Sequence, residues 1–469
     1  GIYKIMFNTS LIKNIKTEKI WGNLRNVNLN LCSDSRKYFE GQLFFAIKGA
    51  RFDGFNFAED LISKNCKIII FEETKESIEK AELYHRENPD LCLISVSDCL
   101  IALQELARVR LEQWRKDKLV IGITGSNGKT THKELLYNIL ENVFPGKIIC
   151  TQGNLNNHIG VPLTILSVED VHEVIIIEMG TNHPGEIPLL CELVNPDSGI
   201  ITNIGASHLE FFKSEEGVFK EKRSLFDFVK KRNTGFFIAN AEDKFLCKLK
   251  EYYGLHFFSK NKKSSKNIIY YKLSLNKLTI EWEKSEIILE NPYLFGDYNF
   301  RNLLACFLLS LFHFKNKKED LINAANKVGL PANNRSTWIK KNKKEIFLDA
   351  YNANPSSMLV ALTAYAQKLK REGIDFNQGT IIVGDMNELG ELAESAHKEL
   401  GQVISSLGYI NVIFIGQYKD YFIQGLQTKL AYNSLKDLIS SPPAEFTQAK
   451  YLFIKGSRSL QLESLLDIV

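Results

Sequence analysis

Short apolar runs alternate with helical stretches along two long parts of this chain. The first part has such runs at 118–124, 173–180 and 198–205, and the second has them at 345–352, 379–386, 410–417 and 451–457. Many residues in them are β-branched. Strands that are apolar at nearly every position belong in parallel sheets that helices cover on both faces. The alternation therefore predicts an α/β fold with two separate parallel-sheet units.

The region before these units has a different texture. It mixes short strand-like runs with turn signals, and Asp98 is a candidate N-cap for a helix over 99–115 that leads into the next unit. A chain of 469 residues is too long for one ordinary core. We predict three domains, at 1–100, 101–332 and 333–469, with a hinge at 331–334.

Composition excludes several classes of protein. Apolar residues make up 44% and charged residues 24%, and the net charge of +4 gives no reason to expect a nucleic-acid partner. The lysine runs at 259–267 and 340–344 are interpreted as solvated loops or hairpin tips. No run approaches the length of a membrane span, and the eight cysteines form no metal or disulfide pattern. We expect a cytoplasmic protein without stable membrane insertion.

A glycine-rich turn follows the run at 118–124. The sequence GITGSNGKTT sets three glycines before Lys129 and Thr130, but Ile123 stands where the general phosphate loop has its first glycine. A strand, a glycine-rich turn and a helix start form an anion site, because main-chain N–H groups and the helix dipole favour phosphate. Lys129 is predicted to bind the terminal phosphates of a nucleotide, and the Thr130 hydroxyl to bind Mg²⁺.

Two further candidates follow strands of the same unit. Glu178 lies in the run at 173–180, and ligands bind at the carboxyl ends of such strands. A buried carboxylate there needs a partner, so Glu178 is a candidate magnesium ligand, with a salt bridge or solvent exposure as the alternative. His208 follows the run at 198–205. Histidine is an unusual magnesium ligand, so a purely structural role is its alternative.

Other polar residues leave two interpretations open. Asn299 and Asn302 share one face of a predicted helix, where their amides either read a base edge or cap the helix. Arg335, at the predicted hinge, either reaches phosphates across a cleft or forms an interdomain ion pair. Asp349 ends a strand of the last unit. Lys222 indicates no function by its position alone.

Taken together, these segments resemble the Mur ligases, and most closely their MurF type. The resemblance covers nearly the whole chain in order, from SDSRKYFEGQLFFAIKGARFDGFNF to FIKGSRSLQLE. The loop GITGSNGKTT is similar to the phosphate loop of that family, including the departure at Ile123. The segments that look specifically MurF-like are GNLNNHIGVPLT, EMGTNHPGEI, NIGASHLEFF, DAYNANPSSM and GDMNELG.

The resemblance implies an N-terminal UDP-substrate domain, a central ATPase domain and a C-terminal Rossmann-like domain. It also implies a ligase in peptidoglycan synthesis that uses ATP and two Mg²⁺ ions. The terminal carboxylate of UDP-N-acetylmuramoyl-tripeptide becomes an acyl phosphate, which the amine of D-alanyl-D-alanine then attacks. The resemblance favours a monomer. Because acyl phosphates hydrolyse, we expect the three domains to close about the hinge and exclude water.

Site residues are carried over from the family by matching motifs. The expected nucleotide contacts are Gly125, Ser126, Asn127, Gly128, Lys129, Thr130, Thr131, Asn299, Asn302, Arg335 and Asp349. The expected metal ligands are Thr130, Glu178, His208 and Lys222, the last as a carbamylated lysine; Lys129, Glu178, His208 and Lys222 are the expected catalytic set. The expected substrate contacts are Ser33, Asp34, Ser35, Arg36, Lys48, Asn156, Asn157, His158, Tyr351, Asn352 and Asn354.

Three alternatives remain open at this point. A MurE-type ligase, which adds a single amino acid, would share the ATP chemistry, but DAYNANPSSM favours the MurF type. A folate-polyglutamate ligase would leave the first domain unexplained. A nucleotide-binding regulator without catalysis would not need two metal positions.

Overall fold

The computed structural model of the chain describes residues 5–49, 52–262, 267–294, 296–330, 337–428 and 430–469. Within these ranges the strands form three sheets, each with helices packed against it. The predicted hinge at 331–334 and the candidate ligand Arg335 lie outside the described residues. Among the described helices, none is both long enough and apolar enough to cross a membrane.

The N-terminal sheet has a parallel centre and antiparallel edges. Its strands are β1 (Met6–Asn8), β2 (Lys19–Trp21), β3 (Asn28–Cys32), β4 (Gln42–Phe45), β5 (Ile68–Glu72) and β6 (Cys92–Val96), in the order β1-β3-β4-β5-β6-β2. Its helices are α1 (Ala58–Ser63), α2 (Lys75–Glu87) and α3 (Cys99–Trp114). The Asp98 carboxylate accepts the Ile101 N–H at 2.9 Å, so the predicted N-cap of α3 is confirmed.

The central sheet holds the glycine-rich turn between its strand β7 (Leu119–Thr124) and helix α4 (Lys129–Val143). The strands that follow are β8 (Ile148–Cys150), β9 (Val174–Glu178), β10 (Ser198–Ile201), β11 (Phe237–Asn240), β12 (Leu255–Ser259), β13 (Ile268–Ser274), β14 (Lys277–Trp282) and β15 (Ser285–Glu290). The other helices are α5 (Gly160–Leu166), α6 (Glu186–Val194), α7 (Leu209–Phe212), α8 (Glu215–Arg232), α9 (Asp297–His313) and α10 (Lys318–Lys327).

Strand β7 lies between β9 and β10, with parallel pairing on both sides. Val120 packs into the apolar cluster on one face, and Ile121 and Ile123 pack into the cluster on the other. Burial of both faces explains the unbroken apolar run, as predicted. The antiparallel extension through β14 and β15 was not predicted.

The C-terminal sheet is parallel apart from one edge hairpin. Its strands are β16 (Thr337–Lys341), β17 (Lys344–Asp349), β18 (Gly379–Gly384), β19 (Asn411–Ile415), β20 (Ala431–Tyr432) and β21 (Tyr451–Lys455), in the order β16-β17-β21-β18-β19-β20. Its helices are α11 (Pro355–Arg371), α12 (Ala393–Ser406), α13 (Lys419–Gly425), α14 (Leu435–Ser440) and α15 (Ala444–Thr447). Asn342 and Lys343 turn the hairpin with positive φ, so the lysine run at 340–344 is a hairpin tip, as predicted.

Candidate active site

The turn between β7 and α4 needs glycine at two positions. A Cβ on Gly125 would lie 1.7 Å from the Thr202 hydroxyl oxygen, so no larger residue fits there. Gly128 has a φ of +77° and forms the N-cap of α4. Ile123 is instead a buried residue of β7, which explains why a glycine is not needed there.

The turn is held in place by the segment that follows β10. The Asn127 N–H donates to the Asn203 side chain at 3.0 Å, and the Asn203 amide donates back to the Asn127 carbonyl at 3.1 Å. The Ser126 hydroxyl accepts the Gly205 N–H at 3.0 Å. These contacts come from the protein itself and fix the main chain of the turn, which is what a phosphate site requires.

Lys129 and Thr130 begin α4 beside this turn, and Thr131 follows them, half-buried. The Lys129 amine donates to the Gly125 carbonyl at 3.0 Å, so the side chain folds back over the turn. This position puts a positive charge at the mouth of the anion site.

Glu178 is buried beside Thr130 at the carboxyl end of β9, and only 2% of its surface is exposed. The Thr130 hydroxyl lies 3.0 and 2.9 Å from the two carboxylate oxygens, and the Asn156 amide donates to one of them at 3.0 Å. Both of these hydrogen-bond donors are neutral. A hydroxyl and a carboxylate side by side at the phosphate turn fit an oxygen-seeking cation such as Mg²⁺.

His208 contacts the C-terminal domain. Its Nδ1 atom pairs with Oε2 of Glu388, which lies between β18 and α12. The close contact with this imidazole lowers the pKa of the Glu388 carboxyl. Sequence reasoning did not anticipate Glu388, although the segment GDMNELG that contains it looked MurF-like.

Lys222 projects from α8 into the interior and is 1% exposed. Its amine has no hydrogen-bond partner among the described residues. Burial, and then the positive charge of Lys129, lower its pKa well below the ordinary value. The negative charge of the neighbouring Glu221 offsets this lowering only in part. The Glu221 carboxylate itself accepts the Gly185 and Ile187 N–H groups at the start of α6.

The predicted metal ligands do not form a ready-made cage. In the described part of the chain, no group of three or more His, Cys, Asp and Glu side chains has the arrangement of a metal site. Thr130 and Glu178 are together, whereas His208 is engaged by Glu388. A buried amine without a partner at Lys222 is compatible with conversion to a carbamate, which would add a carboxylate-like ligand.

The start of α9 lies next to the phosphate turn. A Cβ built on Gly128 would be 3.7 Å from the Asn302 amide nitrogen, and that amide donates to the buried Asn299 side chain at 3.3 Å. Helix α9 has Gly296 as its N-cap and no side-chain cap hydrogen bond. These contacts do not decide between the base-edge and the capping interpretation of the two asparagines, so both stay predictions.

The segment between β17 and α11 brings the C-terminal domain to the same turn. The Asn354 side chain accepts the Ser357 N–H at 3.0 Å, which caps α11, and its amide donates to the Asn127 side chain of the turn. Tyr351 is half-buried and Asn352 is exposed. Asp349 forms an ion pair at 2.9 Å with Lys455, a buried lysine that sequence reasoning missed.

The residues predicted to bind the UDP end of the substrate lie in the N-terminal domain. Ser33 follows β3, and Ser35 begins the short helical turn that Asp34 caps. Arg36 forms two hydrogen bonds of 2.9 Å to the Asp34 carboxylate, which lower the pKa of Asp34. Lys48 pairs with Glu72 at 3.3 Å. Both predicted basic residues therefore have carboxylate partners, which a diphosphate would have to displace.

The three predicted sugar-peptide contacts have separate surroundings. Asn156 contacts Glu178, as described above. The Asn157 side chain accepts the Gly160 N–H at 2.8 Å and so supports the start of α5. The carbonyl of His158 accepts a hydrogen bond from Gln104 of α3 at 3.2 Å. Only Asn156 is joined directly to the candidate metal ligands by these contacts.

Comparison with known proteins adds an independent line of argument. The chain matches the catalytic domain of the Mur ligase family at residues 30–110 and the Mur ligase middle domain at 123–310. It is 30% identical over 478 residues to the UDP-N-acetylmuramoyl-tripeptide--D-alanyl-D-alanine ligase of Bacillus subtilis, with 97% of each chain covered. The chain belongs to the Mur ligase family, and within it to the MurF type.

Other MurF proteins agree with this assignment. The Escherichia coli ligase of the same name is 28% identical, with 96% of each chain covered. The crystal structure of MurF from Acinetobacter baumannii matches with a TM-score of 0.81 and 25% identity, covering 99% of this chain and 98% of that one. MurF from Thermotoga maritima in complex with ADP matches with a TM-score of 0.73 and 26% identity, covering 93% and 96%. The predicted three-domain α/β fold of a MurF-type ligase is confirmed.

Proposed function

We propose that this MurF-type ligase joins D-alanyl-D-alanine to UDP-N-acetylmuramoyl-tripeptide, at the expense of ATP, through an acyl phosphate. The relatives in B. subtilis and E. coli are named for that ligation, and MurF of T. maritima was solved with ADP. In this chain, one observation carries the proposal. Lys129 folds over a pre-formed phosphate turn beside the buried Thr130–Glu178 pair.

The central domain binds the nucleotide in this proposal. The turn 125–128 and the start of α4 present main-chain N–H groups to the phosphates, and Lys129 contributes the charge. Asn299 and Asn302 face the base, since the Asn302 amide lies next to the phosphate turn and contacts the Asn299 side chain. Asp349 acts from the C-terminal domain, as we also expect of Arg335.

Thr130 and Glu178 would hold one Mg²⁺, and His208 with a carbamylated Lys222 would hold a second. When bound, these ions offset the repulsion between the γ-phosphate and the substrate carboxylate. The adjacent hydroxyl and carboxylate support the first position. The second position rests on family matching and on the partnerless amine of Lys222.

The carbamate at Lys222 has a chemical basis in this structure. Burial favours the neutral amine, and a neutral amine is the form that attacks carbon dioxide. A nitrogen–carbon bond forms, one carbon–oxygen π bond opens, and the nitrogen releases a proton to solvent. Intact mass measured in bicarbonate tests this step, and an unmodified Lys222 under those conditions would contradict it.

The reaction then proceeds in two displacements. An oxygen of the tripeptide carboxylate attacks the γ-phosphorus, and the bond to ADP breaks. The neutral amine of D-alanyl-D-alanine next attacks the acyl carbon, phosphate leaves with the bonding electron pair, and the nitrogen loses a proton. Lys129 stabilises the charge that develops on the transferred phosphate.

The N-terminal domain binds the UDP end of the substrate in this proposal, through Ser33, Asp34, Ser35, Arg36 and Lys48. Arg36 is exposed and, among the described residues, is held only by its neighbour Asp34, so it can exchange that carboxylate for a diphosphate. The sugar-peptide portion is bound by Asn156, Asn157 and His158. The dipeptide or nucleotide side is bound by Tyr351, Asn352 and Asn354.

All required domains lie in one chain, so we propose a monomer. Its eight unpaired cysteines suit the cytoplasm.

Phosphate release tests the function directly. Release with ATP, Mg²⁺ and UDP-tripeptide is expected to rise strongly when D-alanyl-D-alanine is added, and mass spectrometry should show the pentapeptide product. Single amino acids, including D-alanine, are the matched control. A response to a single amino acid but not to the dipeptide would instead support the MurE-type alternative.

A further inference from the structure

The contact between His208 and Glu388 joins two domains at the candidate metal site. His208 has a φ of +51° and Glu388 a φ of +62°, and such values are uncommon for residues with side chains. Strained positions of this kind persist where the surroundings over-determine them, and they cluster at functional sites. Both ends of the contact are therefore held in conformations that the fold must impose.

The segments on either side approach closely as well. A Cβ on Gly390 would lie 2.9 Å from Cα of Glu210, so the loop that carries Glu388 lies directly on α7. Glu388 is also close enough to Lys129 for that amine to lower the pKa of its carboxyl. This loop thus brings a carboxylate of the C-terminal domain to the phosphate end of the central site.

A histidine that binds a metal through one ring nitrogen commonly donates the other N–H to a carboxylate. That hydrogen bond fixes the tautomer and the orientation of the ring. In this protein Glu388 faces Nδ1 of His208, which leaves Nε2 as the nitrogen available to a cation. The arrangement has the chemistry of a carboxylate supporting a metal-binding histidine.

We propose that Glu388 is a positioning residue that orients His208 for the second metal ion, and that the C-terminal domain thereby completes this metal position only when it lies against the central domain. The inference rests on the metal role that the proposed function gives to His208. The first position differs, because Thr130, Glu178 and Asn156 all belong to the central domain. Occupancy of the second position would thus report domain closure.

Manganese binding tests the inference without measuring turnover. Free Mn²⁺ is followed by electron paramagnetic resonance in titrations of the full chain, with a non-hydrolysable ATP analogue alone and with the analogue plus UDP-tripeptide. The variants are Glu388→Gln, which keeps the size but loses the charge, and Glu388→Asn, which is too short to reach the ring but tolerates a positive φ. Glu391→Gln is the control, because it removes an exposed charge three residues away.

With both ligands present, we expect the wild type and Glu391→Gln to bind two ions. The second ion should bind about tenfold to 100-fold more weakly in Glu388→Asn and less weakly so in Glu388→Gln. With the nucleotide analogue alone, all four proteins should bind Mn²⁺ alike. That dependence on the second ligand distinguishes positioning from general destabilisation.

Several results would overturn the inference. Equal affinities in all variants would show that Glu388 does not support His208, and a tighter second ion in Glu388→Asn would show that the carboxylate competes with the metal. A wild type that binds one ion under every condition would also overturn it. Normal ligation of D-alanyl-D-alanine by that same preparation would leave the proposed function standing.

Discussion

The central and C-terminal domains contribute to one candidate site by different means. In the central domain, the phosphate turn is braced by its own neighbours, since Asn203 and Gly205 hold it from the adjacent strand end. The C-terminal domain instead reaches that turn with single side chains, Asn354 and Glu388. The central side of the site is held together by contacts within its own domain. The C-terminal side contributes only when its domain lies against the central one. Loss of a residue of the phosphate turn should therefore lower the rate of the chemical step, and loss of Asn354 or Glu388 should weaken domain closure.

The largest effect on kcat is expected for Lys129→Ala in the central domain. The amine supplies the charge at the mouth of the phosphate turn, so its loss should lower kcat about 100- to 1,000-fold, without a change in unfolding temperature. Coupled ADP release measures the rate. Lys231→Ala, an exposed lysine on α8, is the control. Activity close to that of the wild type would refute the phosphate role of Lys129.

Acid should weaken the central domain through His313, far from the site. Burial lowers the pKa of His313 to about 4 from about 6.5, and its Nε2 lies 2.8 Å from the Ser198 hydroxyl. Because the unfolded chain binds the proton first, the free energy of unfolding should fall as the pH drops from about 6.5 to about 4. The loss from this group is about 3 kcal/mol at most.

Hydrogen exchange resolved by region measures this effect. His313→Gln is neutral at every pH, so the acid-dependent loss of protection in β10 and α9 should be smaller in that variant. Protection of the C-terminal strands β18 and β21 should respond less to the substitution. An equal change in both regions would mean that the central and C-terminal domains unfold as one unit.

In the C-terminal domain, Lys455→Met should lower the free energy of unfolding more than it lowers the rate of the reaction. The buried amine pairs with Asp349 and donates to the Asn352 carbonyl, so its removal breaks both contacts between β21 and the end of β17. The free energy of unfolding in urea should fall by about 2 kcal/mol, less than for a fully buried pair because the Asp349 side chain is 15% exposed. Lys450→Met, an exposed lysine before β21, should change little. Equal effects of the two substitutions would rule out a special role for the ion pair.

The sequence predicted the site residues of the central domain better than those of the C-terminal domain, because the central ones lie at strand ends that a parallel sheet brings together. Lys129, Thr130 and Glu178 lie directly at the ends of strands and at a helix start, so local periodicity and the order of a parallel sheet bring them together. The pairing of Thr130 with Glu178 follows from β7 and β9 being neighbours. Ile123 looks like a departure from the general loop only until its burial in β7 is seen.

The contacts of Glu388 and Lys455 depend on how domains and distant strands meet. Glu388 is 180 positions from His208, and no local pattern marks it as a partner. Lys455 pairs with Asp349 because β17 and β21 are adjacent, an order that the alternation of strands and helices does not fix.

Substitutions of Asn354 can separate an effect on stability from an effect on the contact between the two domains. We expect the smallest change in rate here. Its side chain both caps α11 and contacts Asn127 of the phosphate turn. Serine caps a helix about as well as asparagine but is too short to reach the turn, so Asn354→Ser should lower kcat about tenfold with unchanged stability. Asn354→Ala should show the same loss of rate and a further loss of about 1 kcal/mol in the free energy of unfolding. Urea unfolding and coupled ADP release on the same preparations measure both. If Asn354→Ser retained full activity while Asn354→Ala lost it, the contact with Asn127 would be incidental and the cap alone would matter.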